Sequence, residues 1–169
     1  MNRSKVISYG GISTALSLII LYLTNVIPVN KMFLLGLSSC LMVLTILLID
    51  LKSTFIVYVA TSLLTFILNP NKGVAILYIV LFGLYPFIKH FVERKRNIPI
   101  ELLLKLLYFN VAMLLSYVVY SKLFVDIVAI NLSMYLLLLV LQVLFIIYDF
   151  VLTSFVGYSH KSLLKKLKK

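Results

Sequence analysis

Apolar residues fill this chain in long stretches, and short polar interruptions cut it into six pieces. A helix that crosses a membrane takes about 20 apolar residues, within a range of roughly 17–25. The first stretch covers 6–27 and ends at Pro28-Val29-Asn30-Lys31. The second covers 32–49 and ends at Asp50-Leu51-Lys52, and the third, a short one, covers 53–68 and stops at Asn69-Pro70-Asn71-Lys72. The fourth, 73–88, runs into the basic segment that begins with Lys89 and closes with Arg94-Lys95-Arg96. Pro99 then stands where proline suits the first turn of a helix, and the fifth stretch follows over 100–120. The sixth, 131–158, lies within an apolar region from Ile127 to Tyr158 that is too long for one straight crossing, so it tilts or opens with an interfacial piece. A basic tail, 159–169, closes the chain. The pattern predicts an all-α integral membrane protein: one domain, a bundle of six transmembrane helices.

Composition sharpens this expectation. Of 169 residues 63% are hydrophobic and 12% charged, with a mean hydropathy of +1.13. A soluble domain is about 45–50% apolar and about a quarter charged. It has no core large enough to hide the excess, because small domains leave much of their surface wet. The surroundings are therefore read as lipid, which excludes a soluble enzyme. The net charge of +11 then needs no nucleic acid as partner, because basic residues collect on the cytoplasmic side of membrane proteins. With the N-terminus inside, thirteen Lys and Arg fall on the cytoplasmic side, and Lys31, Lys72 and Lys122 fall outside. Six spans bring the lysine-rich C-terminus back to the same side, so both termini are expected in the cytoplasm. The first stretch exceeds the 7–15 residues of a signal-peptide apolar core and lacks a small-x-small cleavage site before Pro28, so it is read as a span. Cys40 has no second cysteine to bond and reads as a small packing residue.

Catalytic chemistry leaves no trace. His90 and His160 stand apart, the six glycines form no phosphate-binding loop, and the five acids are dispersed. No catalytic residue, metal site or cofactor is expected, and any energy must come from another subunit. Three polar groupings remain. Ser8, Gly11 and Ala15 share one face of the first helix, with Gly10 and Thr14 beside it. Small residues let membrane helices approach closely, so this face serves either packing within the bundle or docking on another membrane protein. Gly36 and Cys40 repeat the spacing weakly and read as packing. Lys105 and Asp149 each lie about six residues, roughly 9 Å, inside the cytoplasmic boundary and are expected to pair across the fifth and sixth helices. Glu101, four residues before Lys105, is the rival partner. On the outer side Asn25, Asn30, Lys31 and Asn69, with Tyr78, Asn110 and Gln142 deeper, form a candidate substrate pocket together with Tyr22, Tyr117 and Tyr135. The alternative is that the amides cap helices and the tyrosines belt the interfaces. Pro86 is expected to kink the fourth helix near its cytoplasmic end. The tail lysines either anchor the topology or lie on anionic lipid.

Six short helices with both ends inside, early small-residue spacing and an Ile-Pro loop after the first helix resemble the substrate-binding S components of energy-coupling factor (ECF) transporters, the bacterial vitamin-uptake systems. The family's Ala-x-x-x-Ala docking motif falls here on Gly11-Ile12-Ser13-Thr14-Ala15, with glycine in place of the first alanine. Its substrate-covering first loop falls on 25–31, and its third-helix end on 62–70. The Gly83-Leu84-Tyr85-Pro86-Phe87-Ile88-Lys89 block is similar to one in uncharacterised bacterial membrane proteins. The resemblance implies a multi-pass protein of the bacterial cell membrane that binds a vitamin or other small micronutrient outside. It implies docking through helix one on a transmembrane coupling subunit powered by two cytoplasmic ATPases. No vitamin-specific motif is present. A second resemblance, to the rod-shape-determining membrane protein of cell-wall morphogenesis, implies a non-catalytic scaffold with the same partner face and no ligand. A carrier needs the outer amides to converge; a scaffold does not.

Overall fold

The computed structural model describes residues 3–94, 98–123 and 134–167. Helix α1 (Arg3–Val26) leads through a single 3₁₀ turn, Pro28–Asn30, into α2 (Lys31–Leu48). Asp50 then starts α3 (Leu51–Leu68) by accepting a hydrogen bond from the Ser53 N–H at 3.0 Å. That bond and the Ser53 hydroxyl hold the Asp50 carboxyl below its usual range. At the far end of α3 the Lys72 ammonium donates to the carbonyls of Phe66 and Ile67, closing the helix, and Asn71 caps α4 (Lys72–Leu77). A wide π-helical turn, Tyr78–Phe82, continues α4 towards α5 (Tyr85–Glu93). Helices α6 (Ile98–Leu123) and α7 (Met134–Leu167) complete the chain. Among the described residues the structure is all helical, and six segments are long and apolar enough to cross a membrane.

The described helices overlap the expected spans, with Ile27 and Ile49 just past the ends of α1 and α2. The fourth segment does not end at Ile88; it runs on to Glu93, which carries Lys89 into the bundle instead of leaving it in a basic loop. The sixth is one helix from Met134 to Leu167, so most of the basic tail continues it without a break. Residues 131–133, 168 and 169, and the proposed interfacial piece before the sixth span, lie outside the described residues.

The fourth segment forms the centre of the bundle and is the most buried of the six, while the sixth is the least. Tyr78 and Tyr85 are fully enclosed there, together with Leu21, Leu35, Met42 and Leu152 from the surrounding helices. Pro86 offers no N–H to the Phe82 carbonyl, so the regular ladder fails one turn earlier than a kink at Pro86 itself. The Gly83 N–H reaches back five residues to the Tyr78 carbonyl at 2.7 Å, which releases the carbonyl of Ile79. Two tyrosines from neighbouring helices answer. Tyr58 of α3 donates to the Ile79 carbonyl at 2.8 Å, and Tyr108 of α6 to those of Val80 and Leu81 at 2.6 and 3.2 Å.

These hydroxyls matter because buried carbonyls without donors cost about 1–3 kcal/mol each. Tyr108→Phe is therefore expected to destabilise the protein by about 1–3 kcal/mol in a detergent unfolding titration. Tyr117→Phe, an exposed tyrosine of the same helix, is the control and should change stability by less than about 0.5 kcal/mol. Equal effects from the two would show that the Tyr108 hydroxyl does not support the π turn.

Candidate functional site

Three helices bring five charged side chains together near the end of the bundle where α5 stops and α6 starts. Each helix contributes residues four apart, which places them on one face: Tyr85, Lys89 and Glu93 on α5, Glu101 and Lys105 on α6, Asp149 and Thr153 on α7. Lys89 and Lys105 are only 2% and 5% exposed. Asp149 lies between them. Its Oδ1 accepts from Lys89 Nζ at 2.6 Å and from the Tyr85 hydroxyl at 2.5 Å, and its Oδ2 accepts from Lys105 Nζ at 2.9 Å.

Glu93 closes the ring by pairing with both lysines, at 3.0 Å from Lys105 Nζ. Glu101 adds a bond to Lys105 at 2.6 Å, and Thr153 accepts one from Lys89 at 2.7 Å. An ammonium has three protons to donate. Each lysine thus finds three acceptors: Asp149, Glu93 and Thr153 for Lys89; Asp149, Glu93 and Glu101 for Lys105. A buried charge is tolerated only with such complete pairing. The arrangement is a clasp that joins α5, α6 and α7, with both ammonium groups fully paired and the carboxylates partly exposed.

Lys105 thus meets both of the partners weighed for it, Asp149 and Glu101. The sequence pattern does not assign Tyr85, Lys89, Glu93 or Thr153 to this cluster. The four-residue ladder Tyr85-Lys89-Glu93 was the available signal, hidden because the apolar run stops at Ile88.

Ser8, Gly11 and Ala15 lie on the side of α1 turned away from its packing face. Gly10, Ser17, Leu21 and Thr24 are buried, and a Cβ on Gly10 would stand 3.1 Å from Val57 of α3. Ser8, Gly11 and Ala15 are exposed, and a Cβ on Gly11 would meet nothing within 4 Å. Gly36 instead faces the Tyr148 ring across the bundle.

The residues proposed for an outer pocket are scattered in their contacts. Asn25 donates to the Tyr22 carbonyl and Asn110 to the Leu106 carbonyl, each within its own helix. Asn30 is exposed, its side chain makes no capping bond to α2, and Lys31 opens that helix half-buried. Gln142 is half-buried on α7, and Tyr117 is exposed on α6. Tyr78 is fully buried in the π turn. Asn69 alone of this set ties two helices, donating to the Leu21 carbonyl at 3.0 Å while accepting from the Asn71 N–H. It lines a cavity of about 290 Å³ between α1 and α3, together with Tyr22 and mainly apolar side chains. The side chain of Tyr135 lies outside the described residues. No cluster of three His, Cys, Asp or Glu suited to a metal ion occurs among the described residues. Comparison with protein-family models, with curated proteins and with solved structures finds no match for this chain.

Proposed function

We propose that the chain is a multi-pass protein of the bacterial cell membrane, both termini cytoplasmic, that acts as a non-catalytic subunit docking on another integral membrane protein through α1. The observation that carries this reading is the exposure of Ser8, Gly11 and Ala15 on the face that the bundle leaves unused. In lipid, helices gain little from hydrophobicity and associate through close contact, which small residues permit. Six apolar helices and the thirteen-to-three division of basic residues support the membrane topology. The clasp of α5, α6 and α7 is consistent with a rigid body that moves or docks as a unit.

Two partner sets fit this face. In the ECF S component-like reading, α1 docks on a transmembrane coupling subunit with two cytoplasmic ATPases, and a vitamin or other small micronutrient binds at the outer end. In the scaffold reading, similar to the rod-shape-determining membrane protein, α1 binds a morphogenetic partner and no substrate exists. Asn25 and Asn110 bond to carbonyls of their own helices and do not converge on Asn69, an arrangement that the scaffold reading allows.

Purification from the native host in mild detergent, followed by mass spectrometry, separates the two. Recovery of a coupling subunit with paired ATPases supports the carrier, and recovery of cell-wall synthesis proteins supports the scaffold. In either case the double substitution Gly11→Leu and Ala15→Leu is expected to lower partner recovery at least tenfold. The bundle's melting temperature should stay unchanged, since nothing in the bundle meets a side chain at Gly11. Undiminished recovery would remove α1 as the docking face.

A further inference from the structure

Helix α6 buries one face and leaves the opposite one bare. Lys105, Phe109, Ala112 and Ser116, spaced at single helical turns, are buried against the bundle. On the far side Ile100, Leu103, Leu107, Asn110, Leu114 and Tyr117 are exposed, and their spacing alternates three and four without a break. Those are the a and d positions of a heptad repeat, the seam along which two helices interlock. The seam runs about 26 Å at 1.5 Å per residue, close to a hydrocarbon core of about 30 Å. Glu101 and Lys105, the charged residues of this span, bond to each other inside the clasp, so no charge interrupts the seam.

Leucine on such a face suits lipid as well as it suits another helix; asparagine does not. Asn110 stands midway along α6, twelve residues from its nearer end. Asn25 also bonds to a carbonyl of its own helix, but it lies one residue from the end of α1, near the membrane boundary. Asn110 donates one amide proton to the Leu106 carbonyl at 2.8 Å. Its second proton and its oxygen find no partner among the described residues. At the bilayer centre neither water nor a lipid headgroup supplies one, and a polar group left unpaired in hydrocarbon is costly. The missing partner must offer both a donor and an acceptor at that depth.

We infer that α6 is the interface of a homodimer, in which two copies pair in parallel along this seam with their Asn110 amides hydrogen-bonded across the two-fold axis. Copies inserted under one positive-inside bias cross in one direction, so α6 meets α6 in parallel and each seam residue meets its counterpart. An amide both donates and accepts, so Asn110 satisfies its own copy through N–H to Oδ1 bonds in both directions. A different protein would need a donor and an acceptor placed at the same depth; a second copy has them by symmetry. The heptad spacing sets a left-handed crossing of about 20°. Helix α1 stays free, because it packs on α2 and α3, whereas α6 packs on the fourth segment and α5. The inference rests on the membrane reading above and not on the docking face. Retention of the chain in carbonate-washed membranes tests that premise separately, and the Gly11→Leu, Ala15→Leu variant must dimerise like wild type.

The test uses the full chain with Cys40→Ala as background. Copper-catalysed oxidation in isolated membranes is expected to link Leu107→Cys and Leu114→Cys each into a disulfide dimer of this chain. Leu115→Cys, exposed at the same depth on a different face, should stay monomeric. Energy transfer between donor- and acceptor-labelled copies in mild detergent then measures dissociation. Asn110→Leu keeps the apolar seam and loses the amide; it should raise the dissociation constant about three- to thirtyfold, the range for hydrogen bonds between membrane helices. Asn110→Gln, which restores an amide, should stay closer to wild type than Asn110→Leu. Equal linking of Leu114→Cys and Leu115→Cys, no energy transfer in wild type, or an Asn110→Leu dimer as tight as wild type would each overturn the inference. So would a Leu114→Cys product joined to a different membrane protein.

Discussion

Asp149→Leu is expected to destabilise the protein by about 3–5 kcal/mol, the range for removing one partner of a buried charge pair. The carboxylate serves two ammonium groups and the Tyr85 hydroxyl at once, so its loss leaves three buried donors short of an acceptor. Lys105→Met should cost less. Glu93 and Asp149 would still hold Lys89, and Glu101, which is partly exposed, can turn to water. The combined variant should cost less than the two single effects added, because the carboxylate and one ammonium leave together. It should remain worse than Lys105→Met alone, since Lys89 still loses Asp149. Unfolding titrations of the four proteins in mixed micelles measure these differences. An Asp149→Leu protein within about 0.5 kcal/mol of wild type would contradict the clasp.

The second large effect is expected at Gly83. A Cβ there would stand 2.7 and 2.9 Å from two ring atoms of Tyr58 and 3.0 Å from the Tyr78 carbonyl. The ring has little room to yield, because its hydroxyl is bonded to the Ile79 carbonyl and Phe55 and Phe87 pack on it with centroids at 5.8 Å. Gly83→Ala therefore forces either the ring or the π turn to move. The expected cost is about 1–3 kcal/mol from overpacking, larger if the tyrosine bond breaks as well. Gly11→Ala, where nothing lies within 4 Å, is the matched control and should not lower stability, since alanine suits a helix better than glycine. Similar melting temperatures for the two alanine variants would refute the packing assigned to Gly83.

Much of this architecture was legible because hydrophobic length is a strong signal in the sequence. The polar breaks at Pro28–Lys31, Asp50 and Asn69–Lys72 mark helix ends that the structure places within a few residues. The end of the fourth segment was hidden. Its apolar run stops at Ile88, yet the helix continues because Lys89 and Glu93 neutralise each other and meet Asp149 and Lys105 from α7 and α6. Hydropathy counts a lysine as an interruption; only the tertiary partners make it a core residue.

The π turn was hidden for a related reason. Pro86 announces a disturbed helix, but its form depends on Tyr58 and Tyr108, far away in sequence, taking up the freed carbonyls. In α1 the sequence placed Gly10 and Gly11 side by side, and only packing decides that the first faces Val57 and the second is free. The outer amides show the opposite limit: loop position alone does not reveal that Asn25 bonds within its own helix while Asn69 binds across to α1.

Site-specific photocrosslinking in native membranes tests most directly whether α1 presents a partner face. A photoreactive amino acid would replace Gly11 or Ala15 in turn, with Leu139 on α7, another exposed position, as the control. A discrete crosslink to one integral membrane protein is expected from both α1 positions and none from Leu139. Crosslinks to lipid alone, or the same products from all three positions, would contradict a partner face on α1.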